Sequence, residues 1–317
     1  MRFPETSADA PDTVRSYVQS DVPQRKLNLT GREVDTLERN CLTPRTVEEL
    51  HQDLSRMTLQ SKIVGGGTDL TIDMNRGRVS PDTLLFLGNT KEMHTISEES
   101  GYIRIGACAT MNEIIASGCL GREYGAVVEA AGGVGSQQIR NRATIAGNIA
   151  GASPGADMLP VMFLHRAIIE IATPKGNFNK PIDEVVLGIA KTSLQHNEAI
   201  TALYLPKPLY KNYQTVFIKL GYRQKVTIAR ISLAVGLTIE EDGIVSLAEI
   251  FAGALSDIPV RVAKAEQILL GDRITPETKK RVGGALSELI RELTPWKDYK
   301  ANAAMGIAED ALDRFHK

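Results

Sequence analysis

Short apolar runs alternate with polar, glycine-bearing stretches along the first part of the chain. Apolar runs of this length, bounded by turn residues, are typical of strands buried in a sheet. The pattern predicts buried strands at 62–64, 83–87, 102–106 and 162–171, and a pair of strands joined by a loop over 174–206.

Two capping boxes mark the starts of helices in the same part of the chain. Thr46 is followed by Glu49, and Thr110 by Glu113, so each hydroxyl and carboxylate can satisfy backbone N–H groups of a first helical turn. The predicted helices run over 46–57, 110–117 and 124–131. A short helix is also predicted at 32–39.

A different texture begins near residue 213. Apolar residues alternate from Ile231 to Ile239, which predicts a long strand, and Asp242-Gly243 supplies a hairpin turn before a partner strand at 245–251. Helices are predicted over 260–270, from Pro276 onward and over 301–315. Three antiparallel strands followed by helices predict an α+β domain that begins near residue 210.

Composition restricts the classes of partner. The chain has 317 residues, a formal net charge of -1 and 43% hydrophobic residues. This charge argues against nucleic acid and against an anionic membrane surface. No apolar run is long enough to span a bilayer, and the first residues lack the apolar stretch of a signal peptide, so a cytoplasmic location is expected.

The cysteines and histidines show no metal-binding spacing. Cys41, Cys108 and Cys119 form no C-x-x-C pair, and their odd number disfavours a disulfide framework. An iron–sulfur cluster requires about four thiolates, and the three cysteines of this chain are too few to hold one without another chain. We therefore assign no residue as a metal ligand.

Two glycine-bearing segments carry the strongest chemical signal. The first, 63–70, places three consecutive glycines after a predicted strand, and the second spans 139–160. Consecutive backbone N–H groups in such segments bind anions, so two facing segments can hold a pyrophosphate. A tight turn without ligand, with Asp69 capping the next helix, is the alternative for the first segment. The Rossmann fingerprint fails because Leu70 occupies the third small position, and the Walker A pattern fails at Ala190.

The second segment also offers polar side chains. Thr144 and Ser153 supply hydroxyls, Asn148 a carboxamide and Asp157 a carboxylate. Carboxylates beside dinucleotides commonly accept hydrogen bonds from ribose hydroxyls. The alternatives are that Asn148 bridges loops and that Asp157 caps a helix.

Together the two segments resemble a known family. Gly-Gly-Gly-Thr-Asp-Leu at 65–70 and Ile-Arg-Asn-x-Ala-Thr-Ile-x-Gly-Asn-Ile-x-x-Ala-Ser-Pro-x-x-Asp-x-x-Pro at 139–160 are similar to the flavin-binding (medium) subunit of the molybdenum hydroxylases, which include xanthine dehydrogenase and carbon monoxide dehydrogenase. The similarity runs from about residue 42 to the end. Matching segments include 191–206, 217–231 and 252–271.

The resemblance implies a domain organisation and a cofactor. It implies an α+β protein with an N-terminal extension at 1–41, a PCMH-type FAD-binding domain of two α/β subdomains at 42–208, and a C-terminal domain at 209–317 with a three-stranded antiparallel sheet and helices. The implied FAD-binding residues are Val64, Gly65, Gly66, Gly67, Thr68, Asp69, Leu70, Thr144, Ala146, Gly147, Asn148, Ser153, Asp157, Leu194 and Lys219. For Lys219, a lysine on the strand surface is the alternative. No residue is assigned as catalytic.

The chain departs from the family pattern at several positions. Ala146 replaces the first of two glycines, and a methyl group should be tolerated there if φ is negative. Thr227 replaces an aspartate of many members, and Met305-Gly306 replaces a Tyr-Arg pair, which implies a different contact between the domains. The first forty or so residues lie outside the pattern.

The implied function is electron transfer within a larger enzyme. The partners would be a small subunit with two [2Fe–2S] clusters and a large molybdopterin subunit, with NAD+ or another acceptor taking electrons from FAD in this chain. A stand-alone FAD oxidoreductase and a scaffold subunit that has lost FAD are the alternatives. A homodimer is one expected state of the chain when it is purified alone. The substrate pocket is expected to lie in another subunit.

Overall fold

The computed structural model describes residues 40–223, 226–296 and 298–316. The helix predicted at 32–39 lies outside these residues. The described chain begins with a small parallel sheet of order β1-β3-β2 and its helices. The elements are β1 (Asn40–Leu42), α1 (Val47–Leu54), β2 (Lys62–Val64), α2 (Leu70–Asn75) and β3 (Thr83–Phe86).

The first capping box is only partly formed. The hydroxyl of Thr46 accepts a hydrogen bond from the N–H of Glu49 at 3.2 Å, as predicted. The Glu49 carboxylate, however, accepts from the N–H of Arg45 at 2.7 Å. Helix α1 ends at Leu54, so its predicted extension to Met57 is wrong.

A five-stranded antiparallel sheet follows, with strand order β4-β5-β10-β6-β7. Its strands are β4 (Ile96–Glu98), β5 (Tyr102–Gly106), β6 (Ile168–Thr173), β7 (Gly176–Pro181) and β10 (Ala199–Pro206). The predicted pairing of two strands within 174–206 is wrong for the long strands, because β7 and β10 each pair with β6. The short strands β8 (Val186–Gly188) and β9 (Lys191–Thr192) do form a hairpin there.

Helices connect these strands and cover the sheet. They are α3 (Met111–Ala116), α4 (Gly125–Gly133), α5 (Gln137–Arg140), α6 (Ile145–Ala150), α7 (Met158–Leu164) and α8 (Ile182–Val185). The complete capping box at Thr110 and Glu113 starts α3 as predicted. The strand predicted over 162–171 is wrong at its start, because 158–164 is helical and every residue of α7 is buried.

The C-terminal part forms an antiparallel sheet of order β11-β12-β13-β14, packed against helices. Its elements are β11 (Tyr213–Leu220), β12 (Ile231–Ile239), β13 (Val245–Gly253), β14 (Val260–Arg261), α9 (Ala263–Leu269), α10 (Pro276–Leu293) and α11 (Asp298–Leu312). The predicted sheet of three strands has a fourth, because 260–261 is extended rather than helical. Pro276 is the first residue of α10, as predicted, and the side chain of Thr275 caps this helix.

The second apolar core is built on this sheet. Ile231, Leu233, Val235 and Leu237 of β12 are buried there with residues of α9, α10 and α11. Met305 of α11 packs against Gly283 of α10, where an added Cβ would lie 2.8 Å from the Met305 Cα. The position that departs from the family pattern therefore serves the contact between these two helices.

A polar cluster ties the two halves of the chain together. The carboxylate of Glu129 in α4 accepts hydrogen bonds from the N–H of Phe217 and from Arg314, both at 2.7 Å. Arg314 also donates to the Phe217 carbonyl at 3.1 Å. Burial raises the pKa of Glu129, and the bonds from Phe217 and Arg314 oppose that rise.

The architecture confirms the predicted α+β fold class. Two apolar clusters form, one around the two N-terminal sheets and their helices, the other around the C-terminal sheet. Among the described residues, none of the helices combines the length and apolar character that crossing a bilayer demands.

Candidate cofactor site

The two glycine-bearing segments lie against each other. An added Cβ on Gly66 would lie 1.7 Å from the Arg142 carbonyl oxygen, and one on Gly65 would lie 2.6 Å from Oγ1 of Thr144. Both distances are far below ordinary van der Waals contact, so glycine is required for this approach. The predicted proximity of the segments is therefore confirmed.

The first segment presents free backbone donors. Strand β2 ends at Val64 and α2 begins at Leu70, with Gly67 at a φ of 71° between them. Within the described residues, no protein acceptor receives the N–H groups of Gly66 or Thr68. Asp69 holds the N-cap position of α2, but its side chain makes no capping hydrogen bond, so the capping alternative is wrong.

Residues 144–148 of the second segment form the start of helix α6 (Ile145–Ala150). Thr144 caps α6, and its hydroxyl accepts from the N–H of Gly147 at 3.2 Å. Ala146 lies in this helix, where φ is negative, so its methyl group is tolerated as predicted. Asn148 also lies in α6, and its buried Oδ1 has no hydrogen-bond partner among the described residues.

A cavity of about 280 Å³ opens where the segments meet. Its walls include five of the predicted residues, namely Gly65, Thr144, Ala146, Gly147 and Leu194. The pattern missed other residues of the wall: Ser61, Lys62, Ile63, Leu87, Ala107, Cys108, Ala150, Gln195, His196, Glu198, Ala199 and Ile200. The predicted residue Leu194 directly precedes 195–200, so it could have indicated this part of the wall. Ala107 and Cys108 belong to no sequence motif and reach the cavity only because they follow β5.

Cys108 contributes an inert wall to this cavity. Burial, with a smaller contribution from the Glu113 carboxylate, raises the pKa of its thiol to about 12. A thiol in that state is neutral at physiological pH and is a poor nucleophile. Cys41, Cys108 and Cys119 are all free thiols.

Asp157, at the start of α7, and Lys219, in β11, form a buried ion pair. Lys219 Nζ donates to Asp157 Oδ2 at 2.5 Å, to the Gly133 carbonyl at 2.7 Å and to the Thr227 carbonyl at 3.0 Å. The side chains of Lys219 and Asp157 are only 13% and 5% exposed. Lys219 is therefore not a surface lysine, and Asp157, which makes no capping bond, does not cap α7.

The carboxylate of this pair keeps one oxygen without a partner. Oδ1 of Asp157 is buried and accepts no hydrogen bond from the described residues. Burial raises the pKa of Asp157, and the charge of Lys219 opposes that rise. Gly133, which sequence patterns did not single out, matters here because an added Cβ would lie 3.1 Å from Asp157 Oδ2.

These features fit a dinucleotide such as FAD. The N–H groups of Gly66 and Thr68, which have no acceptor among the described residues, suit phosphate oxygens, and the oxygens of Asn148 and Asp157 that have no donor there suit hydroxyl or N–H donors. Ser153 lies in an exposed turn between α6 and α7, where its carbonyl accepts from the N–H of Ala156 at 2.9 Å. The residues present therefore match the chemistry of the group that the resemblance implies.

Comparison with known proteins identifies the class. Residues 35–208 match the family described as FAD binding domain in molybdopterin dehydrogenase, and residues 217–310 match the CO dehydrogenase flavoprotein C-terminal domain. The first match covers more than half of the chain. The chain therefore belongs to the FAD-binding flavoproteins of the molybdopterin dehydrogenases, which confirms the family predicted from the two glycine-bearing segments.

Individual relatives agree with this assignment. The nicotinate dehydrogenase FAD-subunit of Eubacterium barkeri is 27% identical over 285 residues, which cover 86% of this chain and 95% of that protein. The xanthine dehydrogenase FAD-binding subunit of Escherichia coli O157:H7 is 26% identical over 242 residues, 76% of this chain and 82% of that protein.

A solved structure gives the same result. A chain of carbon monoxide dehydrogenase from Hydrogenophaga pseudoflava superimposes with a TM-score of 0.76 at 26% identity, covering 87% of this chain and 96% of that chain.

Proposed function

We propose that this chain is the FAD-binding electron-transfer subunit of a multi-subunit molybdenum hydroxylase. It would pass electrons from the [2Fe–2S] clusters of a small partner subunit to NAD+ or another acceptor, while a large molybdopterin subunit oxidises the substrate. The observation that carries the proposal is the interlocked approach of Gly65 and Gly66 to Thr144 and Arg142. Family membership and the relatives with FAD subunits support it.

The proposed site divides the work between two groups of residues. The backbone of 64–70 and the start of α6, with Ala146, Gly147 and Asn148, would hold the pyrophosphate. Leu194 would form part of the apolar wall. The Ser153 hydroxyl would donate, and the unpartnered Oδ1 of Asp157 would accept, hydrogen bonds on the sugar side. The proposed domains are 42–208 and 209–317.

When bound, FAD would accept and release electrons one at a time or in pairs. The chain's own residues position that group and exclude side reactions. The Lys219 ammonium group donates to three acceptors, and these hydrogen bonds hold it in position beside Asp157. The Cys108 thiol in the cavity wall, whose pKa is raised by burial, stays neutral at physiological pH and is a poor nucleophile.

A matched pair of glycine substitutions tests the site. Gly66→Ala places a methyl group against the Arg142 carbonyl and should force the two segments apart, so the purified chain should lose most of its flavin absorbance. Gly132→Ala adds the same methyl group to α4 where nothing lies within 4 Å, and should retain flavin. Circular dichroism of both variants separates loss of cofactor from loss of fold.

The milder variant Gly65→Ala keeps the test informative if Gly66→Ala does not fold. It meets only the side chain of Thr144, so we expect a folded chain with weakened flavin retention. Full flavin content in both Gly65→Ala and Gly66→Ala would contradict the proposed site.

The assembly is tested by metal analysis. A tagged chain isolated from its native cells should carry co-purifying subunits that contain iron and molybdenum. Flavin without either metal would instead support the stand-alone oxidoreductase, and absence of both flavin and metals would contradict any redox role. Size-exclusion chromatography of the isolated chain decides whether it forms a homodimer.

A further inference from the structure

The outer edge of β11 is covered by helix α4. Within the described residues, β11 pairs with β12 alone, so one side of its backbone has no strand partner. The N–H and carbonyl groups along such an edge still need hydrogen-bond partners, and soluble proteins commonly cover them with a helix or a loop. Helix α4 lies along this edge and contacts alternate residues of the strand.

Three hydrogen bonds join the helix to the strand at regular intervals. At 3.0, 2.7 and 2.7 Å respectively, they link Ala126 to Thr215, Glu129 to Phe217, and Gly133 to Lys219. Residues two apart in a strand share a face, and residues at i, i+3 and i+7 share a face of a helix. One face of α4 is therefore fastened along one side of β11, and the last bond of the row involves the lysine of the Asp157–Lys219 pair.

The middle bond of this row belongs to an ion pair that grips the backbone of Phe217. The Glu129 carboxylate accepts from the Phe217 N–H, while Arg314 donates to the Phe217 carbonyl at 3.1 Å and to Glu129 at 2.7 Å. Both backbone groups of one edge residue are thus bound to charged partners, which form stronger hydrogen bonds than neutral ones. The Phe217 side chain is only 4% exposed, so its ring is anchored as well. We call this arrangement the Glu129–Arg314 clamp.

The clamp lies close to the cofactor-site ion pair on both elements. Lys219 is two residues beyond Phe217, a distance of about 7 Å along a strand, and Gly133 is about one helical turn beyond Glu129. Movement of β11 at Phe217 would therefore be passed directly to Lys219. Lys219 in turn binds Oδ2 of Asp157, whose other oxygen, Oδ1, has no partner among the described residues. The position of that free acceptor depends on where β11 holds the lysine.

We infer that Glu129 and Arg314 are positioning residues of the candidate cofactor site, which hold Lys219, and through it the Asp157 carboxylate, in place for the bound flavin nucleotide. Neither residue lines the cavity where the two glycine-bearing segments meet, so both act through the strand and the helix that they join. The inference rests on the proposed function, because it requires FAD to bind beside Asp157.

The affinity of the full chain for FAD tests the clamp. The chain, freed of flavin, is titrated with FAD by calorimetry, and circular dichroism follows the unfolding of each variant. Arg314→Met and Glu129→Gln should each raise the dissociation constant at least roughly 5-fold, the lower end of the coupling usually found between separate sites. Arg314→Lys keeps the charge but replaces the planar fork by a single ammonium group, so it should recover part of the lost affinity.

Two further variants separate positioning from a general loss of structure. Lys279→Met breaks the ion pair with Asp313, the residue before Arg314, and leaves the row of bonds along β11 in place. It should lower the free energy of unfolding but leave the affinity for FAD unchanged. In an Asp157→Asn chain, Arg314→Met should change the remaining affinity by about 2-fold or less, because the carboxylate through which the clamp acts is already gone.

Three results would overturn the inference while the unmodified chain still binds FAD. They are unchanged affinity in both Arg314→Met and Glu129→Gln, equal weakening by Lys279→Met, and an effect of Arg314→Met that is as large with Asp157→Asn as without it. If Arg314→Met does not fold, Glu129→Gln takes its place in the comparison with Lys279→Met and with Asp157→Asn. An unmodified full chain that never binds FAD would instead contradict the proposed function.

Discussion

His165 should make the folded chain sensitive to acid, and His165→Leu should remove that sensitivity. The imidazole lies at the end of α7, is 6% exposed, and packs against Tyr124 with ring centres 5.2 Å apart. Its Nε2 has no hydrogen-bond partner among the described residues. Burial, with a further contribution from the charge of Arg166, lowers its pKa from 6.5 to about 3.

The direction and size of the effect follow from proton linkage. As the pH falls below about 6.5, the unfolded chain protonates His165 and the folded chain does not, so the free energy of unfolding decreases until the pH reaches about 3. Each pH unit in that window corresponds to about 1.4 kcal/mol. Between about pH 6.5 and about pH 5, His165 alone should therefore remove about 2 kcal/mol of stability.

The assay is urea unfolding followed by circular dichroism at these two pH values. The loss on acidification should be about 2 kcal/mol smaller in His165→Leu than in the unmodified chain. Tyr124→Phe is the control, because it keeps His165 and removes only the hydrogen bond from the Tyr124 hydroxyl to the Pro206 carbonyl, at 3.2 Å. It should lower stability equally at both pH values. An unchanged acid loss in His165→Leu would refute the reasoning.

Three further predictions concern stability. Lys219→Met leaves the Asp157 carboxylate buried without its cation, so the free energy of unfolding should fall by about 3–5 kcal/mol at neutral pH. Because removal of the lysine raises the pKa of Asp157 further, this loss should shrink as acid protonates the carboxyl. A loss that does not depend on pH in denaturant titrations would contradict the pairing. Thr275→Ala removes the cap that accepts from the Thr278 N–H at 3.1 Å and should cost about 1 kcal/mol. Gly284→Ala, in open space on the same helix, should raise the melting temperature instead.

Elements with a strong local pattern were predictable from the sequence. The alternation from Ile231 to Ile239 matches β12 at both ends, and Pro276 behind Thr275 starts α10. Strand β12 is followed by its own turn residues and α10 begins behind its own cap, so local preference and tertiary packing agree on where these elements lie, although β12 is buried on both faces.

The error at 162–171 has a physical cause. Helix α7 is buried on every side, so its sequence shows no amphipathic period and cannot be told from a buried strand. Arg166, at a φ of 47°, separates this helix from β6, and an arginine carries no turn signal that predicts such a conformation. The boundary was therefore set by packing rather than by local sequence.

The site shows the same division. Consecutive glycines beside hydroxyl residues predicted the two facing segments, because close backbone approach requires glycine whatever the fold around it. The roles of Asp69 and Asp157 were ambiguous, since a carboxylate before a helix is more often a cap. Only the arrival of Lys219 from β11, sixty-two positions beyond Asp157 in the chain, shows which partner Asp157 has.

The exact pairing of β11 with β12 has a consequence for how this protein can change over evolutionary time. The two strands match residue for residue from Tyr213 opposite Thr238 to Leu220 opposite Ile231. Neighbouring side chains in a strand point to opposite faces, so gain or loss of a single codon in β11 would exchange the inward and outward sets. Lineages should therefore accept length changes in the turn at Asp242-Gly243 long before they accept one here, where a shift would carry the Lys219 ammonium away from its three oxygen partners.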